Sequence, residues 1–353
     1  MKKLSKSFLR PAVRATAVAL LLAGCSQESS MPPTAPEDSG PVPSSHPIVL
    51  PAGSVDALAA AIDAAGPHGT VVLAGGDHQE SGTVTIEHPV TLVGQEGAVL
   101  IVDTAPATGF PATIEPALWV KDAGDVRILN LTLQPVAQIG GTGILVQNAE
   151  GCAIRGNTML RHQWTVLVQD SDQVVVQGNT IEASGAWRTG DIPEADGVVV
   201  INGDRARIVG NTVSEALFNI WMCGSRGLAT GNETSNGFLG FILCNVPAGA
   251  FALPDGSVVG SDIPAEHWVV VGNRSHDNLT TGILAIDGSN HNLISANECW
   301  SNGTYDIELA GDSERFGFFT PRCSSTTVLS AAFPETVIKN CGDDNRVVGG
   351  VLV

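Results

Sequence analysis

Short apolar segments in the second half of the chain end repeatedly at a Gly-Asn or Ala-Asn pair. The asparagines lie 22, 32, 21, 41 and 24 residues apart, and they are Asn157, Asn179, Asn211, Asn232, Asn273 and Asn297. The two longest steps equal one unit of about 22 residues plus an insertion of roughly 10 or 19 residues. This period predicts a solenoid with three short strands and three turns in each coil. A propeller blade needs about 40 residues and helical repeats need a 3.6-residue apolar period, so neither fits.

A quartet of mostly apolar residues recurs with the same period, and its second and fourth members are apolar in seven copies. These pairs are Ile144/Val146, Val166/Val168, Val198/Val200, Ile220/Met222, Phe241/Leu243, Ile283/Ala285 and Ile307/Leu309. Because side chains alternate between the two faces of a strand, each pair shares one face. Parallel stacking at about 4.8 Å per coil is therefore expected to bury them as one continuous core. The asparagines then fall at a bend, where Asn tolerates unusual backbone angles and stacked amides can bond along the column.

The first coils of the domain are indicated by the apolar segments 69–76 and 90–94. Before them, Ser54–Ala65 predicts a helix with Ser54 as its N-cap and Gly66-Pro67 as its stop. This helix is expected to cover the open first coil, which otherwise exposes core and unpaired strand edge.

Together with the repeat, these segments resemble the right-handed parallel β-helix proteins of the pectin-lyase-like superfamily. The resemblance spans about residues 50–353 and implies an all-β solenoid of about 22 residues per coil with an N-terminal capping helix. It is specific for the fold and weak for function, because this architecture hosts lyases, hydrolases, epimerases, adhesins and metal-site accessory proteins.

The amino terminus reads as a targeting signal. Met1–Arg14 is basic, and the apolar run Ala15–Ala23 is too short to span a bilayer as a helix. The segment Leu22-Ala23-Gly24-Cys25 resembles the bacterial lipoprotein signal, which implies that Cys25 is acylated and becomes the first mature residue. We therefore predict a signal peptide at 1–24, the lipidated Cys25 with a Pro/Ser-rich tether at 25–49, and the β-helix domain at 50–353.

The charge balance restricts the partners. The chain has 36 acidic and 18 basic residues, and beyond residue 24 acidic residues exceed basic ones by 23. This surplus argues against binding nucleic acid or anionic lipid by charge, and polyanionic sugars would need a bridging divalent cation. We expect a monomer on the bacterial cell envelope, in the outer membrane and facing the periplasm or the surface. Its lipid anchor would contact the membrane, and an extended polysaccharide is its expected partner.

Six cysteines remain beyond Cys25, and none forms the C-x-x-C spacing of a zinc site. Cys223 and Cys244 are 21 residues apart and occupy the same strand position on adjacent coils. Parallel neighbours point the same way, so we expect two stacked thiols there. A disulfide is expected between Cys323 and either Cys299 or Cys341.

Three insertions interrupt the repeat, at Ser184–Asp196, Val246–Glu266 and Asp312–Pro334. Loops on a rigid stack usually carry specificity. The first insertion offers sugar-binding chemistry: an aromatic platform, a guanidinium group, and carboxylates that can hold hydroxyls or Ca²⁺. Its candidate ligand-binding residues are Trp187, Arg188, Asp191, Glu194 and Asp196. Calcium is the one cofactor that these residues suggest, and no metal-ligating motif is predicted.

The outward members of the strand quartets are mostly aliphatic, which predicts that an insertion or a partner covers this face. They are Leu145, Leu167, Val199, Trp221, Ile242, Leu284 and Glu308. Trp221 is a further candidate for stacking on a sugar ring, with packing beneath an insertion as the alternative.

A column of polar residues is the candidate catalytic site. Glu215, Asn236 and Asp277 each follow a repeat asparagine by four residues. Two coils place the two carboxylates roughly 10 Å apart, close to the ~6.5–9.5 Å of an inverting glycosidase. His276 can carry a proton near neutral pH. An ordinary polar turn is the alternative interpretation of these residues.

The sequence thus predicts a protein that binds or handles extended polysaccharide. A polysaccharide-degrading enzyme, either a glycoside hydrolase or a lyase, is the first alternative, and a structural or metal-site accessory protein is the second. No complete catalytic set is visible in the sequence, which leaves the question of enzyme activity open.

Overall fold

The computed structural model describes residues 46–108, 112–190, 195–261, 263–315, 318–320, 322–331 and 333–353. Within these ranges the chain winds into a parallel β-helix with three long sheets. Residues 1–45, including Cys25 and the predicted signal peptide and most of the predicted tether, lie outside the described part. No helix among the described residues is both long and apolar enough to cross a membrane.

Each sheet collects one short strand from successive coils, in chain order. The twelve-stranded sheet contains Ile48–Leu50, Gly69–Leu73, Val90–Gly94, Arg127–Leu129, Ala153–Arg155, Val175–Gln177, Arg207–Val209, Leu228–Thr230, Val269–Val271, Leu293–Ser295, Thr327–Leu329 and Arg346–Val348. The nine-stranded sheet contains Gly76–Glu80, Ala98–Val102, Thr132–Pro135, Thr158–Leu160, Thr180–Glu182, Thr212–Ser214, Glu233–Ser235, Arg274–His276 and Glu298–Trp300. The eleven-stranded sheet contains Val84–Ile86, Pro116–Lys121, Thr142–Gln147, Trp164–Gln169, Asp196–Asp204, Phe218–Ser225, Leu239–Leu243, Thr281–Ala285, Tyr305–Leu309, Val337–Asn340 and Val351–Leu352.

The other elements lie outside these sheets. They are the α-helix Leu58–Ala65, the 3₁₀ turn Ala186–Arg188, and the strands Ala112–Thr113, Val246–Ala252, Val258–Ser261, Ser313–Arg315 and Phe318–Thr320.

The core follows the predicted strand positions. Val146, Val168 and Val200 are register partners on successive strands of the eleven-stranded sheet, and all three are buried. The same holds for the other predicted inward pairs, which belong to one continuous apolar cluster. The prediction of an all-β parallel solenoid with a stacked core is therefore confirmed.

The repeat asparagines form a buried ladder along the coil axis. Each side-chain amide donates to the Oδ1 of the next asparagine at 2.9–3.0 Å, from Asn157 through to Asn297. Each Oδ1 beyond Asn157 also accepts the backbone N–H of the preceding asparagine. The unusual backbone angle belongs to the residue before each asparagine, for example Gly210 with φ 61° and Ala296 with φ 52°.

The capping helix is shorter than its sequence predicts. It covers Leu58–Ala65, and Leu58 and Ile62 are buried on the first coil. Ser54 is not its N-cap, because the Ser54 hydroxyl donates to the carbonyl of Pro51. The helix N-terminus is instead capped from the neighbouring strand by Glu80, whose Oε1 accepts the backbone N–H of Leu58 at 2.9 Å.

The second insertion forms a hairpin, Val246–Ala252 and Val258–Ser261, which we call the cover hairpin. It leaves the coil after the strand Leu239–Leu243 and folds back over strands formed earlier in the sequence. Phe251 packs edge-on against Trp164, with ring centroids 4.3 Å apart. At the tip, Asp255 pairs with Lys121 at 3.3 Å. The coil register resumes unchanged afterwards, since Ser235 pairs with His276.

The predicted thiol stack is present. Cys223 and Cys244 directly follow the register partners Met222 and Leu243, and both are buried. Both are free thiols. Burial and the neighbouring Cys223 thiol raise the pKa of Cys244 well above its ordinary value.

The predicted disulfide at the carboxyl end is wrong. Cys299, Cys323 and Cys341 are all free. The Cys323 sulfur is buried and accepts a hydrogen bond from Nδ2 of Asn345 at 3.5 Å, whereas Cys341 is exposed. The thiols therefore occupy different environments, and burial raises the pKa of Cys323 to about 11.

Candidate functional site

The outer face of the eleven-stranded sheet changes character along its length. Its central row runs through register partners from Trp119 to Lys339. Over the earlier strands the row is apolar, and it packs with Phe251, Leu253 and Val259 of the cover hairpin in one cluster. The prediction that an insertion covers this face is confirmed for these strands. The last members of the row are Leu284, Glu308 and Lys339, which lie beyond the hairpin.

An open cleft of about 390 Å³ occupies this last part of the face. Apolar side chains, three threonines and one carboxylate–ammonium pair form its walls. They belong to Phe238, Leu239, Thr280, Thr281, Leu284, Thr304, Tyr305, Glu308 and Lys339.

The charged pair forms one wall of the cleft. Nζ of Lys339 lies 3.2 Å from Oε1 of Glu308, whose side chain is only 4% exposed. The same ammonium lies 4.9 Å from the ring centroid of Tyr305, close enough for a cation–π contact. Burial lowers the pKa of Lys339, but the Glu308 carboxylate outweighs it, so the net shift is upward. The ammonium therefore stays charged at neutral pH, and 29% of the Lys339 side chain is exposed to solvent.

A second amide ladder holds the turn that borders the cleft. Asn278 Nδ2 donates to Asn302 Oδ1 at 2.9 Å, and Asn278 Oδ1 accepts from Asn219 Nδ2 at 3.1 Å. Asn302 Nδ2 then donates to Asp306 Oδ1. These bonds fix the turn immediately before the strands that begin with Thr281 and Tyr305, and so they preorganise the rim of the cleft.

Two residues predicted from the first insertion, Trp187 and Arg188, lie at this rim. Trp187 packs edge-on against Phe238 with ring centroids 5.9 Å apart. The Arg188 guanidinium lies 4.6 Å from the centroid of the Trp187 ring and forms a 3.0 Å ion pair with Glu215. It also donates to the carbonyl oxygen of Asn236. The structure thus joins Trp187 and Arg188 to Glu215 of the candidate catalytic column.

Asp196 points away from solvent. It is fully buried, and its carboxylate accepts hydrogen bonds from Trp164 Nε1 at 2.8 Å and from the backbone N–H of Phe218 at 3.0 Å. Burial raises the pKa of Asp196 to about 7. Both carboxylate oxygens accept hydrogen bonds from buried groups of the protein, so the geometry gives Asp196 a structural role and not a ligand-binding one. Asp191 and Glu194, the other two acids of this insertion, lie outside the described residues.

Trp221 lies at the border between the covered and open parts of the face. It packs edge-on against Phe218 at 5.0 Å and donates its indole N–H to the sulfur of Cys244. The ring is partly buried against the outer cluster, so only part of it faces solvent.

The predicted column keeps its register but not a shared environment. Glu215, Asn236 and Asp277 follow the register partners Ser214, Ser235 and His276, and all three have positive φ. Glu215 is held by Arg188, and Asp277 Oδ2 lies 2.8 Å from Nδ1 of His276. The other ring nitrogen of His276 lies 3.2 Å from Oε1 of Glu233.

Sequence reasoning missed Tyr305 and Lys339 as site residues. Tyr305 is the only tyrosine in the chain, and Lys339 is one of two lysines beyond residue 24. The other such lysine, Lys121, lies on the same sheet face and also sits over an aromatic ring, that of Trp119. Across the described ranges, no three His, Cys, Asp or Glu side chains converge as a metal site would require.

Comparisons with known proteins place the fold. The family model for the right handed beta helix region matches residues 116–317, more than half of the chain. No curated protein sequence matches the chain.

Three solved structures share the fold at 10–14% identity, a level that speaks for the fold alone. ORF18 of Geobacillus virus E2 has a TM-score of 0.56 at 10% identity; the alignment covers 86% of this chain and 60% of the viral one, so the chain spans less than two thirds of that protein. PfbA, a surface adhesin of Streptococcus pneumoniae, has a TM-score of 0.50 at 12% identity, and the alignment covers 84% of this chain and 86% of the adhesin chain. The DFA-IIIase of Arthrobacter chlorophenolicus A6, solved with GF2, has a TM-score of 0.50 at 14% identity, and the alignment covers 83% of this chain and 82% of the DFA-IIIase chain. With the family model and the coil geometry in agreement, the chain belongs to the right-handed β-helix family.

Proposed function

We propose that this chain is a lipid-anchored protein of the bacterial envelope that binds an extended polysaccharide in the open cleft. The observation that carries the proposal is the cleft itself. The cover hairpin buries the outer face of the eleven-stranded sheet over the earlier strands, and beyond it the described residues from Phe238 to Lys339 line a cleft of about 390 Å³.

The cleft walls have the chemistry of a saccharide site. Tyr305 and Phe238 offer ring surfaces, and Leu284 adds an aliphatic floor. Threonine hydroxyls and the Glu308–Lys339 pair can exchange hydrogen bonds with sugar hydroxyls. Lys339 also gives this otherwise acidic chain a cationic group at the site.

A glycan array with the full chain, followed by titration calorimetry on the hits, tests the proposal. Thr304→Trp fills the cleft from an exposed position, and we expect it to weaken binding at least tenfold. Thr180→Trp makes the same change at an exposed position on the nine-stranded sheet and serves as the matched control. Equal binding by both variants would remove the cleft as the site.

Membrane attachment through Cys25 is the second part of the proposal. The basic start, the short apolar run and the Leu-Ala-Gly-Cys ending support it. Cys25→Ala is expected to give an unprocessed or soluble protein, since acylation requires that sulfur. Mass spectrometry of the wild-type mature chain tests the idea directly, and an unlipidated amino terminus would end it.

Cleavage of the bound polysaccharide is the second candidate function. The buried Glu308 carboxylate, the Lys339 ammonium and the Tyr305 hydroxyl all lie along one cleft, which is the observation in its favour. A product assay on the array hits tests it with Glu308→Gln. The variants Glu215→Gln and Asp277→Asn test the column predicted from sequence in the same assay. No product from the wild-type chain would leave binding as the function, and full turnover by all three variants would exclude these three carboxylates as the catalytic groups.

A further inference from the structure

Trp300 ends a column of side chains on the outer surface of the nine-stranded sheet. The register partners Ser235, His276 and Trp300 occupy one position on three successive strands. The imidazole of His276 and the indole of Trp300 stack almost parallel, with ring centroids 4.3 Å apart and an interplanar angle of 12°. This spacing is close to the ~4.8 Å rise per coil, so the rings stack along the coil axis.

Among the described residues, no strand follows that of Trp300 in the nine-stranded sheet. Glu298–Trp300 is the edge strand of the nine-stranded sheet within the described residues. Trp300 is 38% exposed, the most exposed tryptophan in that part of the chain. Within the described residues the stacking column therefore ends at Trp300, whose side chain is partly open to solvent.

The indole is held in place from its inner side. Asp277 Oδ2 lies 2.8 Å from Nδ1 of His276, and Glu233 Oε1 lies 3.2 Å from Nε2. These two contacts fix the plane of the imidazole against which Trp300 stacks. A rigid aromatic surface loses little conformational entropy when a ligand docks on it.

Charged groups that can bond hydroxyls surround this surface. Glu298 belongs to the same strand as Trp300 and shares its outer side, and its side chain is 48% exposed. Arg274, on the adjacent strand, lies 3.6 Å from Glu298 and 3.8 Å from Glu233. A flat apolar face beside carboxylate and guanidinium groups suits a ring that has C–H groups on its faces and hydroxyls around its edge.

We propose that Trp300 is a platform for one pyranose ring of a neutral glycan, which stacks as the next member of the His276–Trp300 column. Glu298 and Arg274 bond the hydroxyls of that ring, and His276 is a positioning residue that acts through Trp300. The choice of a glycan as the ligand rests on the proposed function, whereas the location of the platform at Trp300 does not. Only the turn 301–304 separates Trp300 from Tyr305 of the cleft, so one glycan can contact both places.

Titration calorimetry with four probes tests the platform: cellohexaose, xylohexaose, mannohexaose and chitohexaose. For each probe that binds the wild-type chain, Trp300→Ala is expected to weaken binding at least fivefold and Trp300→Phe less than twofold. Leu329→Ala removes an exposed apolar side chain from the twelve-stranded sheet and is expected to change nothing. Circular dichroism confirms that each variant is folded.

The outcomes separate this inference from the cleft. If Trp300→Ala weakens binding and Thr304→Trp does not, the platform stands and the cleft proposal falls. If Thr304→Trp abolishes binding and Trp300→Ala has no effect, the platform is overturned and the cleft stands. If none of the four hexasaccharides binds the wild-type chain, the platform is overturned for neutral glycans.

Discussion

Lys339 and Glu308 are register partners on adjacent strands, and their side chains form the most deeply buried lysine–carboxylate pair among the described residues. Lys339→Met is expected to lower the free energy of unfolding by about 2 kcal/mol, because it removes one hydrogen-bonded cation from a buried carboxylate. Lys121→Met is the matched control, since its partner Asp255 is partly exposed and such pairs contribute about 0–1 kcal/mol. Urea unfolding measures both variants, and equal losses would contradict the expectation.

The same pair predicts a dependence on alkaline pH. The pKa of Lys339 is raised in the folded chain, so its contribution to stability is complete below the ordinary lysine pKa of about 10.4. That contribution is lost as pH rises through the raised value. The stability difference between wild type and Lys339→Met should therefore shrink only above about pH 10.4, and a difference that already shrinks between pH 7 and 9 would argue against the pairing.

Asp196 predicts a pH dependence near neutrality. Burial raises its pKa to about 7 from an unfolded value of about 3.9, so the folded chain binds the extra proton between these values. The contribution of Asp196 to the free energy of unfolding is complete below about pH 4 and is lost as pH rises through about 7. The free energy of unfolding falls over this range by up to about 1.4 kcal/mol per pH unit. Asp196→Asn should remove this slope in urea unfolding from pH 5 to 8. Asp103→Asn, at an exposed carboxylate, should keep it, and parallel profiles for wild type and Asp196→Asn would exclude the raised pKa.

The asparagine ladder is expected to carry a large share of local stability. Asn211→Ala removes the donor to the Val176 carbonyl and the acceptor for the backbone N–H of Asn179. Each buried group left unpaired costs about 1–3 kcal/mol, so we expect a total loss of about 3 kcal/mol or more. Asn202→Ala, at a half-buried position of the strand Asp196–Asp204, should cost below about 1 kcal/mol. Thermal unfolding of both variants checks the prediction, and similar midpoints would show that the ladder is energetically minor.

Thiol chemistry gives an independent test of the cysteine environments. In a full chain that carries Cys25→Ala, denaturation without reductant should expose six free thiols. Among the six cysteines of the described residues only Cys341 is exposed, whereas burial raises the pKa of Cys152 and Cys323 to about 11. We therefore expect one thiol to react rapidly with a maleimide reagent and Cys341→Ser to abolish that phase. A denatured count of four would reveal a disulfide.

The parts of the fold that follow the repeat could be predicted from the sequence. Core positions such as Val168 and the register of Cys223 with Cys244 depend only on the coil period. The start of the capping helix could not be predicted, because its cap, Glu80, lies 22 residues beyond Leu58, at the end of the strand Gly76–Glu80. The path of the cover hairpin has no period either, and its destination depends on packing.

The candidate site could be predicted only in part, because it too depends on the paths of insertions that have no period. Trp187 and Arg188 could be recognised by residue type, but their contacts with Phe238 and Glu215 depend on the path of an insertion. Lys339 lies beyond the third insertion, where coils can no longer be counted, so its pairing with Glu308 across 31 residues was hidden.

The length of the cover hairpin determines how far the outer face of the eleven-stranded sheet is covered. Its tip at Asp255 reaches the strand of Lys121, five strands back from its root, a distance of about 24 Å. Because the coil resumes in register on either side, the hairpin can change length without disturbing the solenoid. Shortening each arm by about three residues would uncover roughly two coils at the Lys121 end of the face, on the opposite side of the hairpin from the cleft. One loop therefore sets how many coils have a covered outer face, and its length is separable from the stability of the stack.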